Sequence, residues 1–269
     1  MLANFGRTAL VKAAVGVADG VAVGVRHCSI RGRRLKVLCG DRIRYLPQGR
    51  TGIIVELLPR TSQIERLDSR GRSEPMAANV TLLAVVLAPE PGPDWFVIDR
   101  FLAAAAIKDL PALLVVNKAD RGIEDLLAPL EGYAHARVPR LVVSARDPAS
   151  LQPLREALRN GNTLMVGQSG VGKSSLINAL LPDAAAQTAT LTRDEEGRHT
   201  TTTARLYELD AQSSLTDAPG VRDFAPPAHI RRAAERGFAE IHALAAGCRF
   251  NDCRHFAEPG CAVRAAVTA

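Results

Sequence analysis

The chain has 269 residues and is 47% hydrophobic, which is enough to bury a full core and predicts more than one domain. It contains no run of about 18 apolar residues, which argues against a membrane-spanning helix, and its first residues lack a convincing signal-peptide cleavage site. Five cysteines, three of them near one histidine in the last 25 residues, favour metal binding over disulfides and predict a reducing, cytoplasmic location.

Charge divides the chain into three parts. Residues 1–75 carry 14 Lys+Arg against 6 Asp+Glu, a net of +8; residues 76–224 carry 14 against 18, a net of −4; and residues 225–269 carry 6 against 4, a net of +2. A basic part beside an acidic one predicts that the first part holds a polyanionic partner. A solvated arginine-rich face is the alternative that charge alone leaves open.

The first part, residues 1–75, has the pattern of a small β-barrel. From Val21 to about Ile64, the apolar runs VAVGV, RLKVLC, RIRYL and GIIVELL are separated by turn signals, as in OB-type (oligonucleotide-binding) barrels. Tyr45 is the only aromatic residue between Val21 and Asn79, so we expect contacts to phosphates and nucleic-acid shape rather than base stacking. The arginines expected to make these contacts are Arg31, Arg33, Arg34, Arg42 and Arg44.

Residues 76–224 alternate strand-like and helix-like runs. LLAVVLA, LLVV, RLVV and TLMV are predicted strands, and DRFLAAAAIKDL, SLQPLREALRN and SSLINALL are predicted helices. This alternation predicts an α/β domain whose parallel sheet carries helices on both faces. Residues 225–269 contain the helical run HIRRAAERGFAEIHALAA and predict a small α-helical domain ending in a Cys/His cluster.

A complete phosphate-loop motif, GxxxxGKS, lies between the strand TLMV and a helix, which is the context its mechanism requires. The glycines allow a tight turn whose N–H groups point at the β-phosphate, and the helix N-terminus faces the same group. Lys173 is expected to neutralise β/γ charge, and the Ser174 hydroxyl to bind Mg²⁺. The predicted nucleotide contacts are Gly167, Gln168, Ser169, Gly170, Val171, Gly172, Lys173, Ser174 and Ser175.

The base is predicted from the sequence NKAD at residues 117–120. The Asp120 carboxylate can accept hydrogen bonds from guanine N1–H and the 2-amino group, whereas adenine has an acceptor at N1. Asn117 can contact the base edge and fix neighbouring loops, while the Lys118 stem lies along the ring. The segment Ser144-Ala145 suits a backbone contact to guanine O6. Together with the phosphate loop, these segments predict GTP and GDP as ligands.

Two switch segments are predicted after the phosphate loop. In DAPG, Asp217 is expected to reach Mg²⁺ through water and the Gly220 N–H to sense the γ-phosphate. In GRHTTT, Thr201 is favoured as the threonine that closes over Mg²⁺, with its two neighbouring threonines and a plain surface turn left open. Val221 stands where many GTPases have a glutamine that orients water, so His199 is the nearest candidate for that catalytic role. A structural role for His199 stays open, and we expect slow hydrolysis until a partner orders the loop.

The order of these segments is selective. The guanine reader (117–120) precedes the phosphate loop (167–174), and DAPG (217–220) comes last, whereas an ordinary GTPase begins with its phosphate loop. Cutting such a domain after DxxG and rejoining its ends gives this order. Residues 76–224 are therefore predicted to form a circularly permuted GTPase domain.

The C-terminal part offers three thiolates and one imidazole within 14 residues. Four such ligands in a closed set predict one structural Zn²⁺, which would supply much of the stability of so short a segment. Reduced cysteines in a helical tail are the alternative, and Cys28 and Cys39 are expected to be ordinary barrel residues. The predicted ligands are Cys248, Cys253, His255 and Cys261.

Nearly the whole chain resembles the ribosome small-subunit-dependent GTPase A family (RsgA, also called YjeQ). The resemblance rests on RGRRLKVLCGD, IIVELLPRTSQIER and AANV, on the permuted series NKAD, SA, GQSGVGKSS, RHTTT and DAPGVRDF, and on CRFNDCRHFAEPGCAVRAA. It implies a bacterial cytoplasmic factor that binds the 30S subunit late in its assembly. It further implies that the subunit stimulates GTP hydrolysis. We further expect a monomer that contacts 16S rRNA and has no membrane partner.

The chain departs from this family's usual pattern at three points. Thr81 follows AANV where the family usually has Asp, and Ala218 stands where Thr is common. The chain ends eight residues after Cys261, where family members usually continue with more helix, so ribosome contacts made by such a tail are not expected from these residues.

Two other classes remain possible from the sequence. One is a permuted GTPase that acts on the large subunit, against which the basic barrel and the zinc segment argue. The other is a nucleic-acid-binding module without turnover, against which the intact Lys173, Ser174 and Asp217 argue.

Overall fold

The computed structural model describes residues 1–12, 24–31, 35–67, 72–135, 137–181, 204–217 and 237–268. Its strands are β1 (Ala3–Asn4), β2 (Thr8–Lys12), β3 (Val25–Ile30), β4 (Ile43–Gln48), β5 (Thr51–Leu57), β6 (Gln63–Leu67), β7 (Ser73–Ala78), β8 (Leu82–Leu87), β9 (Ala112–Val116), β10 (Arg140–Val142), β11 (Asn162–Gly167), β12 (Arg205–Glu208) and β13 (Ser214–Asp217). Its helices are α1 (Trp95–Ile107), α2 (Glu124–His135), α3 (Gln152–Ala157), α4 (Lys173–Leu180), α5 (Ala239–Ala245) and α6 (Ala262–Thr268).

A parallel sheet forms the centre of the α/β part. Its strands lie in the order β10, β9, β8, β11, β13, all parallel, and β12 pairs antiparallel with β13. Strands β8 and β9 are apolar along their whole length, as expected of strands covered by helices on both faces. Helices α1 and α2 bury Phe101 and Leu130 on one face, and α3 and α4 bury Leu154 and Leu176 on the other. The predicted parallel sheet with helices on both faces is confirmed.

The N-terminal strands continue as a second, antiparallel region. They lie in the order β1, β2, β3, β5, β4, and β3 runs parallel to β5 while the other pairs are antiparallel. Burial raises the pKa of the Cys39 thiol to about 12, and it also raises the pKa of Cys28, so both behave as small apolar groups. The core of this region contains Ala9, Val11, Cys28, Val37 and Ile54.

The strand pattern in this region differs from the sequence prediction at two points. Strands β1 and β2 precede Val21, where the barrel was expected to begin. In the run RLKVLC, expected to be a strand, the described residues 35–39 form only a single bridge, at Cys39. Side chains satisfy its backbone instead: Asn4 Nδ2 donates to Val37 O at 2.6 Å, and Leu38 N donates to the Asp41 carboxylate at 2.6 Å. Because these groups replace a neighbouring strand, apolar patterning alone misidentifies the segment.

Strand β1 joins the two regions into one eleven-stranded sheet. Its other edge pairs with β12, with Ala3 opposite Arg205, and Leu206 N donates to Leu2 O at 2.8 Å. Lys12 and Glu208 add an ion pair across the same seam. The N-terminal region is thus hydrogen-bonded to β12. Strand β12 pairs in turn with β13, which ends at Asp217.

The hairpin β6–β7 leads from the N-terminal strands to β8 through a tightly packed corner. Gly40 has φ +87°, and a Cβ there would lie 2.2 Å from Ala78 O, so a larger residue would separate the two segments. Asn79 Nδ2 donates to Gly40 O at 2.9 Å, and Asn162 Nδ2 donates to Ala78 O at 3.2 Å. Asn162 starts β11, so this corner contacts the strand that carries the phosphate loop.

The C-terminal part contacts α1 at its start. A Cβ on Gly237 would lie 2.5 Å from Ala103 Cβ, so glycine allows the backbone to approach the helix. Beyond it, α5 and α6 flank the loop that carries the cysteines. Over the residues that the structure describes, no helix is long and apolar enough to cross a membrane.

Candidate functional site

The candidate nucleotide site lies at the carboxyl edge of the parallel sheet, where ligands usually bind in open α/β folds. The phosphate loop follows β11, the guanine-reader segment follows β9, and Ser144 follows β10. Asp217 ends β13, and the register places it opposite Met165, two residues before Gly167. The fold therefore brings together segments that are far apart in the sequence.

The phosphate loop depends on its glycines. Gly167 has φ +144° and Gly172 has φ +91°; a Cβ would lie 2.2 Å from Val86 O at the first and 2.4 Å from Asn117 Nδ2 at the second. No other residue fits both the conformation and the space. Helix α4 begins directly afterwards at Lys173. Its N-terminal N–H groups are thus available to an anion at the loop.

Lys173 folds back over the loop. Its Nζ donates to Gly167 O and Gln168 O, each at 2.7 Å. These contacts hold the ammonium group above the loop, where a β/γ-phosphate would meet it. Ser174 is exposed in the first turn of α4, so its hydroxyl is accessible to a cation.

Asn117 connects three loops. It is 1% exposed, its Nδ2 donates to Val171 O at 2.8 Å, and its Oδ1 accepts from Ala145 N at 3.3 Å. The phosphate loop, the guanine reader and the Ser144-Ala145 segment are therefore fixed to one buried amide. Lys118, in the left-handed conformation at φ +61°, donates from Nζ to Gly170 O at 2.7 Å. Its stem consequently lies along the edge of the phosphate loop.

Asp120 is prepared as a charged acceptor. Ser144 Oγ donates to its Oδ1 at 2.7 Å, and Arg146 lies 3.4 Å from its Oδ2. The Ser144 hydrogen bond is the main cause that lowers the pKa of Asp120 below its usual value. Ser150 fixes Ser144 in turn, accepting from Ser144 N at 2.9 Å. The carboxylate, one-third exposed, can accept from a guanine edge.

A second cluster lies in the C-terminal loop, where Cys248, Cys253, His255 and Cys261 have ligand atoms all within 4.8 Å of one another. Cys248 Sγ lies 3.6 Å from His255 Nδ1 and 3.9 Å from Cys261 Sγ, and His255 Nδ1 lies 3.4 Å from Cys261 Sγ. A tetrahedral site with Zn–S bonds of ~2.3 Å has edges of roughly 3.8 Å between sulfurs. The cluster could therefore hold a metal ion.

The loop around the cysteines has its own internal support. The Glu258 carboxylate accepts from the backbone N–H groups of Arg254, Phe256 and Ala257, each at 3.0 Å, and these bonds lower the pKa of Glu258 to about 2. Burial raises the pKa of Cys261, but hydrogen bonds from Arg264 N and from His255 outweigh it and lower that pKa to about 7. A thiol so placed loses its proton to a metal readily.

A protein-family model described as RsgA GTPase matches residues 57–226. The "Small ribosomal subunit biogenesis GTPase RsgA" of Azotobacter vinelandii is 43% identical over 276 residues, covering 99% of this chain and 79% of the relative. The protein of the same name from Pseudomonas savastanoi is 42% identical, covering 98% of this chain and 78% of its own length. The chain belongs to the RsgA GTPase family.

Solved structures agree with this RsgA assignment. YjeQ from Thermotoga maritima superposes with a TM-score of 0.73 at 28% identity, covering 99% of this chain and 89% of that structure. YloQ, described as a circularly permuted GTPase, superposes with a TM-score of 0.68 at 25% identity, covering 99% of this chain and 86% of its own. The predicted permuted GTPase fold is thereby confirmed.

Several residues predicted for an RsgA-type site lie outside the described residues. They are the catalytic candidate, the switch threonines, the γ-phosphate sensor and two arginines: His199, Thr200, Thr201, Thr202, Gly220, Arg33 and Arg34. Among the other arginines, Arg31 and Arg42 are exposed, whereas Arg44 pairs with Glu56 on β5 at 2.9 Å. That pair reduces the charge which Arg44 offers to a partner.

The sequence did not point to three residues that organise this RsgA-family site. Ser150 orients Ser144, Glu90 accepts from Lys118 through its carbonyl oxygen, and Glu258 binds the cysteine loop. None belongs to a spacing motif, and each acts through a hydrogen bond to or from a backbone group whose position the chain order alone does not give.

Proposed function

We propose that this chain hydrolyses GTP on the 30S ribosomal subunit late in its assembly, with hydrolysis stimulated by the subunit. The observation that supports nucleotide binding is the pair of hydrogen bonds between the guanine reader and the phosphate loop. Asn117 donates to Val171 O, 54 residues along the chain, and Lys118 donates to Gly170 O, 52 residues along. A site built this way reads guanine and phosphates as one unit. Relatives named small ribosomal subunit biogenesis GTPases support the choice of the 30S subunit.

Each loop has a defined role in this proposal. Asp120 accepts from guanine N1–H and the 2-amino group, and the backbone of the Ser144-Ala145 segment contacts O6. The N–H groups of the phosphate loop, residues 167–175, cradle the β-phosphate, while Lys173 neutralises charge on the β- and γ-phosphates. His199 orients the attacking water, because Val221 cannot, and the Gly220 N–H senses the γ-phosphate.

The proposed magnesium ligands are hard oxygen donors, as this ion requires. Ser174 and Thr201 bind it through hydroxyls and Asp217 through water; the position of Asp217 opposite Met165, beside the phosphate loop, supports the set. Bound Mg²⁺ would neutralise charge between the β- and γ-phosphates.

For the C-terminal cluster we propose one structural Zn²⁺ bound by Cys248, Cys253, His255 and Cys261. The distances of 3.4–3.9 Å among the ligand atoms of Cys248, His255 and Cys261, the lie of all four ligand atoms within 4.8 Å of one another, and the three-sulfur, one-nitrogen donor set support zinc. Four protein ligands fill a tetrahedral site, so this ion would have no position for a substrate. Its role is to hold the loop between α5 and α6.

The proposed domains are an OB-type barrel over residues 1–75, the permuted GTPase over 76–224 and the zinc domain over 225–269. The strand order β1-β2-β3-β5-β4 with β3 parallel to β5 supports the barrel, although its boundary at residue 75 falls inside β7. The net charge of +8 on residues 1–75 suits 16S rRNA. We further propose that the chain acts as a cytoplasmic monomer.

Phosphate release from GTP, measured with purified 30S or 50S subunits, tests this function. The rate should rise with 30S and stay at its basal value with 50S. The Lys173→Ala variant should show neither the basal rate nor the rise with 30S. Stimulation by 50S alone would assign the chain to the large subunit. RNA binding without turnover under any condition would make it a binding module.

A further inference from the structure

The loop that joins β8 to α1, residues 88–94, contacts both halves of the nucleotide site. Lys118 Nζ donates to Glu90 O at 2.6 Å as well as to Gly170 O, so one ammonium group holds this loop against the phosphate loop. A second contact lies further along, where Asp94 N donates to Gln168 Oε1 at 2.8 Å. The loop is therefore joined to the phosphate loop at two separate points.

The Gln168 side chain makes the second of these contacts. Its side-chain oxygen accepts from Asp94, while its backbone oxygen accepts from Lys173 Nζ at 2.7 Å. One residue thus connects the lysine expected to bind phosphate with the start of α1. Its side chain is committed to a protein group rather than turned toward a nucleotide.

Asp94 is a firm attachment point. It is the N-cap of α1, and its Oδ1 accepts from Val97 N at 3.2 Å. The helix itself is anchored by buried residues, including Ile98 and Phe101. A side chain that is hydrogen-bonded to the Asp94 N–H is consequently held in place by a packed helix.

We propose that Gln168 is a positioning residue, whose side chain ties the phosphate loop to the N-cap of α1 and so holds the loop backbone and Lys173 in place for the β-phosphate. The inference rests on the proposed nucleotide function and assigns Gln168 a role that its place in the motif does not reveal. Because the tie acts on the loop's shape, it contributes equally to binding GDP and GTP. It takes no part in attack on the γ-phosphate.

The Gln168→Met variant removes the acceptor while keeping the length of the side chain. Loss of one intramolecular hydrogen bond should weaken binding of fluorescent GDP and of a GTP analogue about tenfold each. The rate at saturating GTP with 30S should change less than about twofold, because only uniform binding is lost. Gln152→Met, an exposed glutamine on α3, is the matched control and should leave both values unchanged.

A double-mutant cycle identifies the partner. Asp94→Ala removes the cap but keeps the N–H, whereas Asp94→Pro removes both, so their difference isolates the donor to Gln168. Asp94→Pro should lose about tenfold more GDP affinity than Asp94→Ala. Adding Gln168→Met to Asp94→Pro should cause no further loss of GDP affinity. Adding it to Asp94→Ala should lower GDP affinity by the full tenfold.

The outcomes separate this inference from the proposed function. Wild-type protein that binds no guanine nucleotide would refute the function itself. Normal function with unchanged GDP affinity in Gln168→Met, or additive losses in the cycle, would overturn the positioning role. A fall in the saturated rate with intact affinity would instead make Gln168 a catalytic residue.

Thermal unfolding without nucleotide checks that each variant is folded. Gln168→Glu, which keeps the acceptor, should retain more GDP affinity than Gln168→Met in high salt.

Discussion

At the residue scale, we propose that Asp120 determines the choice of base. Its carboxylate accepts hydrogen bonds from Ser144 and Arg146, which favour the charged form that a guanine edge requires. Replacing Asp120 with Asn turns one acceptor into a donor, which would face the amino donor at guanine C2 but would suit the carbonyl acceptor that xanthine carries there; the remaining Asn oxygen can still accept from the N1–H of either base. GDP affinity should fall on the order of 100-fold, since each hydrogen bond to a charged group contributes ~1.5–3 kcal/mol.

Competition binding with GTP and XTP measures this switch of preference. Asp125→Asn, in the first turn of α2, is a control that keeps the guanine preference. Equal affinity of Asp120→Asn for the two nucleotides would mean that Asp120 does not read the base.

His199 and Lys173 should fail in different ways. His199→Ala should lower 30S-stimulated turnover on the order of 100-fold, a typical loss for a group that orients or deprotonates water, with nucleotide affinity nearly unchanged. Lys173→Ala should weaken nucleotide binding itself, because its ammonium lies over the phosphate loop. Stimulated phosphate release and GDP titration on both variants separate the roles. An unchanged stimulated rate would return His199 to a structural role.

At the element scale, we propose that the cysteine loop between α5 and α6 depends on a bound metal. Cys253→Ser should reduce zinc from about one per chain to almost none and should expose the loop to proteolysis, because so short a segment has little core of its own. GDP binding should persist, since the nucleotide loops lie at the sheet edge. Cys28→Ala is the matched control: it removes a buried cysteine outside the cluster and should retain the metal. Elemental analysis finding no zinc in wild-type protein purified without chelators would contradict the assignment.

The elements that the sequence predicted best are those with a strong local pattern. Buried strands such as β8 and β11 are continuous apolar runs, and the phosphate loop and NKAD follow such runs directly. Strand β1 is two residues long, and its outer partner β12 lies about two hundred residues away, so no local pattern could reveal it. RLKVLC has the pattern of a strand because the apolar residues Val37 and Cys39 alternate along it, and both are buried. Its backbone is nevertheless hydrogen-bonded to the side chains of Asn4 and Asp41.

At the scale of the whole molecule, the nucleotide site is connected to both flanking parts. Strand β12 lies between the two switch segments and pairs with β1, and Gly237 approaches α1 at Ala103. We therefore expect that ordering of the switch segments by GTP affects both the N-terminal region and the C-terminal part. On this account GTP sets the two flanking parts for binding 30S, and hydrolysis relaxes them.

Sedimentation with 30S subunits tests this central claim most directly. The chain should co-sediment strongly with a non-hydrolysable GTP analogue and weakly with GDP. Because residues 1–75 carry a net charge of +8, retention should also fall steeply as salt rises. Equal retention in the two nucleotide states would contradict the switch, and a flat salt response would contradict binding of rRNA by the N-terminal region.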